Sequence, residues 1–208
     1  FLTKYRGVLS MMNVRYLITT YELPSPWKYV FETYLPDTDI TMRVYENTDV
    51  LPRAYFPRTV NFLPQNELTT LPKILSNKDF LDTSFMECFR CPSSEATTGM
   101  HEAKVQMDAY HDDGRLQLRT QTQEARWLVV SESNIPYWDI RIDGKPVESL
   151  LANYQYHGIL VPAGEHIVEM EFPGLWSQFT HALRRLLFDP YRQERKSEPQ
   201  LPKLYGYI

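Results

Sequence analysis

The sequence predicts a mainly β protein: an antiparallel, jelly-roll-like β-sandwich with short helices and a C-terminal amphipathic helix. Three observations predict it. Apolar and polar residues alternate over many short stretches. Asp-Gly pairs stand between such stretches, at Asp113-Gly114 and Asp143-Gly144, where a two-residue hairpin turn needs positive φ. Fifteen prolines against eight glycines mark strand ends and rigid loops rather than long helices. The 208 residues, 43% of them hydrophobic, suffice for one substantial core or two small ones.

The elements follow in chain order. Residues 5–17 carry loosely helical apolar spacing and run into a strand, "RYLITT". "PWKYVFETY" and "ITMRVYEN" are rich in β-branched and aromatic residues and flank a turn, so they read as an antiparallel pair. Pro52 and Pro57 confine any strand in "LPRAYFPRTVNFL" to an edge or a bulge. "NELTTLPKILSN" has helical spacing that Pro72 keeps short, and "NKDFLDTSFMECF" reads as a helical turn entering a strand. In the second half, "AKVQMDAYHDDGRLQLRTQT" is a hairpin with Val105, Met107, Ala109, Leu116 and Leu118 on one face. "ARWLVVSES" is a buried strand, and "YHGILVP" and "EHIVEMEF" flank the short connection "AGE". Ile140, Ile142, Ile167, Val168, Met170 and Phe172 supply further inward or mixed positions. Many short strands with regular turns mean a sandwich, assigned to residues 21–174, after a connecting segment at 1–20. Residues 175–190 switch to helical period, with Phe179, Leu183, Leu186 and Leu187 in one stripe, and 191–208 form a charged, proline-containing tail expected to be mobile.

Several function classes are excluded or weakened. A net charge of -4 with mixed signs lacks the basic footprint of nucleic-acid binding. No run reaches the ~18 to 20 apolar residues of a membrane span. The opening "FLTKYRG" has neither an initiator Met nor the order of a signal peptide, so the chain is expected to belong to something longer. Cys88 and Cys91 in "CFRC" are half a metal site with no second pair, and read as a loop disulfide or two free thiols. No metal or cofactor is expected.

Side-chain chemistry singles out the candidate site residues. Trp127 and Trp138 on neighbouring strands would give a flat platform for sugar stacking, extended by Tyr137, Tyr154 and Tyr156; the competing reading places Trp138 in the core and Tyr137 at its rim. Strands alternate faces, so Tyr137 and Trp138 cannot both point inward. Asp139, Asp143 and Glu148 are close in sequence, but Asp143 is explained by its turn, and Asp139 shares a face with Arg141 and pairs with it. Asp112 and Asp113 belong to a hairpin tip that would need more oxygens to hold calcium. His157 and His166 lack a third zinc ligand and read as surface residues.

The phrases "MNVRYLIT", "VYENTDVLPRAYF", "LVVSESNIPYWDIRIDGKPV" and "ANYQYHGILVPAGEHIVEMEF" stand in this order. Together they resemble the C-terminal extracytoplasmic region of YfhO-like bacterial membrane proteins, over residues 11–172. Pro136-Tyr137-Trp138 departs from the family's usual Pro-Gly-Trp, and the stretch 175–190 stands where members commonly continue into a membrane helix. The resemblance implies the architecture of lipid-linked-sugar glycosyltransferases, whose catalytic carboxylates lie in loops between membrane helices near the amino end, outside this chain. It therefore implies a noncatalytic domain at the extracytoplasmic side of the plasma membrane, in the bacterial cell envelope. Its partners would be the membrane portion, a glycan, and a bilayer surface contacted through Arg184 and Arg185. Two rival readings stand beside it: a free-standing subunit that docks on a membrane complex, and a carbohydrate hydrolase.

Overall fold

Alternation and turn chemistry produce fifteen strands and two helices among the described residues of this computed structural model, which are 4–64, 67–88, 96–99, 101–110, 114–135 and 137–172. The order is α1 (Arg6–Met11), β1 (Tyr16–Thr19), β2 (Lys28–Leu35), β3 (Ile40–Glu46), β4 (Ala54–Tyr55), β5 (Thr59–Pro64), α2 (Glu67–Ser76), β6 (Thr83–Cys88), β7 (Ala96–Thr98), β8 (Ala103–Tyr110), β9 (Arg115–Thr122), β10 (Arg126–Ser133), β11 (Asp139–Ile142), β12 (Lys145–Pro146), β13 (Ser149–Ala152), β14 (Tyr156–Val161) and β15 (Gly164–Glu171). The segments expected at 175–190 and 191–208, with Arg184 and Arg185, lie outside the described residues, as do Cys91, Asp112 and Asp113.

The strands form three sheets. A central seven-stranded sheet has the order β4-β10-β14-β13-β6-β5-β7, a five-stranded sheet the order β12-β11-β15-β9-β8, and a three-stranded sheet the order β1-β3-β2. Pairing is antiparallel except between β5 and β6, which run parallel because α2 carries the chain across between them. The short β4, preceded by Pro52 and followed by Pro57, sits at an edge, as proline's missing N–H requires.

The seven- and five-stranded sheets make the sandwich. Leu128, Val130, Ile159 and Val161 of the first meet Leu116, Leu118, Ile140, Ile142, Val168 and Met170 of the second in one buried cluster. The alternate residues of β10 and β14 face the other way. Val129 and Tyr156 join Met11 of α1, Ile74 of α2, Phe80 and Met86 in a second cluster. The central sheet is thus apolar on both faces, which is why "WLVV" reads as a continuous hydrophobic run. On that second face Gly158 makes room for the Met86 side chain of β6, which reaches across β13: a Cβ there would lie 2.2 Å from the Met86 sulfur. The connecting segment at 1–20 contributes α1 and β1. Met11 is buried in the second cluster, and β1 pairs with β3.

Two buried asparagines lock these layers. Asn47 is 1% exposed; its Nδ2 donates to Ser10 Oγ at 3.0 Å and to the Val14 carbonyl at 3.1 Å, while its Oδ1 accepts from Arg6 Nε at 3.1 Å. It thereby ties α1 to the end of β3. Asn153, at φ 49°, accepts from Phe85 N–H at 2.8 Å and donates to Tyr55 Oη at 3.1 Å and Ser84 Oγ at 3.2 Å. One side chain so joins β4, β6 and the β13–β14 turn. Burial pushes the Tyr55 hydroxyl above its ordinary range, so it stays a neutral bridge.

Face assignments differ from the simple alternation in one place. A bulge at Asp108 shifts register between Met107, opposite Leu118, and Ala109, opposite Gln117. Ala109 therefore leaves the face shared by Val105, Met107 and Leu118. The Asp143-Gly144 turn adopts positive φ at both residues, 50° and 74°, the conformation of a two-residue hairpin that tightens β11 onto β12.

Replacing Asn153 by Ala removes three buried hydrogen bonds and a residue suited to left-handed φ. The expected loss is about 2–4 kcal/mol in urea unfolding, with an unchanged m-value. A loss below about 0.5 kcal/mol would show the network to be dispensable.

Candidate functional site

The aromatic residues with sugar-stacking chemistry are distributed over both faces of the central sheet. Trp127, on β10, packs against the second cluster, edge-on to Phe62 with centroids 5.8 Å apart. Tyr156 is 5% exposed in the same cluster, and Tyr154, at φ 73°, packs at its margin. Trp138 lies on the sandwich side. Its Nε1 donates to the Ser133 carbonyl at 3.1 Å, and its ring meets Phe172 at 5.3 Å and His157 at 5.5 Å. Trp127 and Trp138 thus do not share a platform: β10 and β11, close in sequence, belong to different sheets. Tyr137, at φ 91° and 37% exposed, turns outward where Trp138 turns in. Of the five candidates it is the one offered most directly to solvent, while Trp127, Trp138 and Tyr154 present partial surfaces.

His157 is not a surface residue. It is 1% exposed, with Nδ1 2.9 Å from Ser149 Oγ and the Trp138 ring against it at 74°. Burial pulls its pKa down to about 4, partly opposed by the Ser133 backbone. The pairing was invisible in the sequence because Ser149 reaches it diagonally across β13 and β14, where His157 sits opposite Leu151. His166 differs in both partner and effect. Its Nδ1 lies 2.6 Å from Asp143 Oδ2, and that carboxylate raises its pKa. The same contact, with the Ile167 N–H donating to Oδ1 at 2.9 Å, holds Asp143 below the usual carboxylate range. The two histidines therefore do not converge. Among the described residues no group of three or more His, Cys, Asp or Glu is placed to hold a metal.

The outer face of the five-stranded sheet carries a shallow groove of about 430 Å³, lined by Arg115, Gln117, Asp139, Arg141, Glu169 and Glu171 among others. Its Asp139 is engaged: Arg141 donates from Nε at 3.2 Å to both carboxylate oxygens and from Nη2 at 2.8 Å to Oδ2. That fork holds the guanidinium cationic, as expected for two residues on one strand face. A carboxylate so committed is poorly placed to serve as a base, which leaves the groove the chemistry of a charged binding surface.

The Arg126 site carries no signal at the level of sequence. This buried guanidinium donates to the His101 carbonyl at 2.8 Å and the Pro57 carbonyl at 2.7 Å, and lies where a Cβ on Gly99 would sit. It fastens the start of β10 to two loops. Cys88, buried at the end of β6, is held in a disulfide. No helix among the described residues is long and apolar enough to cross a membrane.

Comparison with family models, with curated proteins and with solved structures gives no match. Fold and site together define a mainly β, sandwich-like domain with a charged outer groove.

Two predictions follow from these placements. Trp138→Ala should cost about 2–4 kcal/mol in denaturant unfolding, through lost ring contacts with Phe172 and His157 and the lost hydrogen bond to the Ser133 carbonyl, whereas Tyr137→Ala should stay within about 1 kcal/mol. Equal losses would deny the inward and outward assignment. His157 should make the domain acid-sensitive. Its folded pKa lies below the unfolded 6.5, so the unfolded chain binds the proton first, and stability falls from about pH 6.5 down to about pH 4. His166 acts oppositely: its stabilisation is present below its unfolded pKa and is lost as pH rises through the raised folded value. Urea midpoints from pH 4 to 8 should therefore show a shallower acid slope in His157→Gln and a steeper one in His166→Gln. Identical slopes in all three proteins would refute both assignments.

Proposed function

We propose that this chain is a noncatalytic extracytoplasmic domain of a YfhO-like membrane protein. It supports transfer of a lipid-linked sugar to a cell-envelope glycan or polymer by packing over the membrane portion of the protein. One observation carries the reading: the phrases that bear the resemblance are mates in space. "MNVRYLIT" and "VYEN" meet as β1 and β3, stitched by Asn47. "LVVS" and "YHGILV" meet as β10 and β14, and "DIRI" and "IVEME" as β11 and β15. Phrases that share strand pairs constrain one another, so their joint occurrence is more informative than their separate wording. The Cys88 disulfide supports the extracytoplasmic assignment, because such bonds persist in oxidising compartments.

In this reading the domain supplies position rather than chemistry. The outward Tyr137 and the groove along Asp139, Arg141 and Glu169 are the surfaces available to a passing glycan. Arg184 and Arg185 would meet phosphates of the bilayer. The rival reading, a separate subunit docking on a membrane complex, uses the same surfaces and differs in the native reading frame.

The deciding experiment labels the natural full-length protein in intact cells with a membrane-impermeant lysine reagent. Modification of this domain before lysis is expected. Modification only after lysis would overturn the proposal. A native frame without upstream membrane spans would transfer it to the subunit reading.

A further inference from the structure

A cleft of about 640 Å³ opens where α1 meets the turn that leads into β6. It shares no lining residue with the groove on the five-stranded sheet, and its volume suits a small molecule. Backbone contact fixes its shape. Gly7 of α1 lies against the chain at 77–78, where a Cβ would stand 2.7 Å from the Asn77 carbonyl oxygen and 2.8 Å from that of Lys78. The turn itself is closed by Asp79, whose Oδ1 accepts from the Leu81 N–H at 2.9 Å and the Asp82 N–H at 3.0 Å. Ser84 Oγ donates to the Phe80 carbonyl at 2.8 Å, and the Phe80 ring is fully buried. Pro26, Leu51, Phe80 and Leu81 give the cleft apolar walls.

The charges of the lining narrow the ligand. They are Lys4, Arg6 and Lys78 against Asp49 and Asp79. Arg6 is spent: Nη1 pairs with Asp49 Oδ2 at 2.8 Å, while Nε donates to Asn47 Oδ1 and Nη2 to Thr48 Oγ1, both at 3.1 Å. That pair cancels. Asp79 keeps its charge but holds two backbone N–H groups of its own turn on one oxygen. Beside the cleft, Asp82 faces Arg58 at 3.8 Å. Lys4 and Lys78 are exposed, and neither makes an ion pair among the described residues. Lys4 Nζ lies 5.3 Å over the Tyr5 ring, a contact that leaves its charge in place. Cations therefore outnumber carboxylates, and the surplus sits on two ammonium groups beside apolar walls. That combination selects an anion with an apolar body. A phosphate ester answers two ammonium groups better than a carboxylate does, since it carries up to two charges and three acceptor oxygens.

We propose that this cleft binds an organic phosphate with an apolar body, its phosphate held by Lys4 and Lys78 and its hydrocarbon laid on Leu51, Phe80 and Leu81. The inference goes beyond the proposed function and does not require it, because charge and shape alone define the ligand. Lysine serves such a site as a point charge rather than as a planar fork, so arginine can replace it without loss of the attraction. A soluble phosphate ester and the headgroup of a phospholipid share this chemistry, and the test separates the two sources.

The test titrates the whole chain calorimetrically with octyl phosphate, and with inorganic phosphate, octanoate and octylammonium as controls. Octyl phosphate should bind at least about tenfold more tightly than each control, and more weakly as salt screens the ammonium groups. Lys4→Gln with Lys78→Gln should weaken it at least about tenfold at an unchanged melting temperature, whereas Lys4→Arg with Lys78→Arg should retain it. Leu81→Ser should weaken it through the apolar wall alone. Sedimentation with vesicles of phosphatidylcholine and phosphatidic acid then identifies the source. Vesicle binding lost in the glutamine pair supports a lipid headgroup, and binding of octyl phosphate without vesicle binding supports a soluble ester. Absence of saturable octyl phosphate binding overturns the inference, as does binding that ignores the glutamine pair. Equally tight octanoate or octylammonium would remove the phosphate assignment, and equally tight inorganic phosphate would remove the apolar walls; either result overturns it. The labelling experiment on the proposed function leaves this outcome untouched, and the reverse holds.

Discussion

Double burial of the central sheet is the constraint on which the other layers depend. β10 and β14 send alternate residues into two separate clusters, so neither strand has a face that water can reach over its middle. Leu128, Val129, Val130, Ile159 and Val161 are all fully buried. Burying a side chain of this size contributes roughly 1.5–3 kcal/mol, and here the gain is collected on both faces. The cost is that every polar group inside must find a partner. Asn153, Ser84 and Tyr55 satisfy one another within the second cluster, and Ser131 Oγ reaches the Met11 carbonyl at 3.2 Å. These bonds do more than satisfy. They fix which helix and which loop may lie on the sheet, because a shifted α1 would strand the Ser131 hydroxyl.

The same burial explains the contrast between the two histidines. His157 sits where solvent is excluded, which favours its neutral form, and the Trp138 ring packs against it. His166 lies at the sheet end, bonded to the turn aspartate, and gains by being charged. Opposite proton preferences follow from burial in one case and a carboxylate in the other, not from the residue type.

Much of the fold was legible in the sequence, for physical reasons that can be named. Asp143-Gly144 requires left-handed backbone at both positions, so it could only be a tight turn, and the strands beside it followed. Asp139 and Arg141, two apart on a strand, had to share a face and do. Alternation in "QMDAY" was misleading only past Asp108, since a bulge flips parity without a compositional mark. Alternation also says which residues share a face, but not which sheet a strand joins. Trp127 and Trp138 therefore looked like neighbours while belonging to different layers. The parallel β5–β6 pair was hidden because it depends on α2 crossing over, a tertiary fact.

The three-stranded sheet was legible in its strands and illegible in its surroundings. A stretch such as "KYVFETYL" carries the composition of a strand covered on at least one side, yet all eight of its residues are exposed. Propensity reports how well side chains suit a pleated surface, not whether anything lies on it. The buried part of this unit is at its root, where Tyr45 is 4% exposed, Trp27 is 5% exposed under the Arg6 guanidinium, and Asn47 joins it to α1. That root makes the sheet a rigid projection of the sandwich rather than a loose hairpin: α1 is anchored in the core through Met11, and Asn47 carries the anchorage to β3. The anchorage continues from α1 to the central sheet, where Ser131 Oγ donates to the Met11 carbonyl at 3.2 Å. The sheet is thus buried at its root and exposed on both faces beyond it.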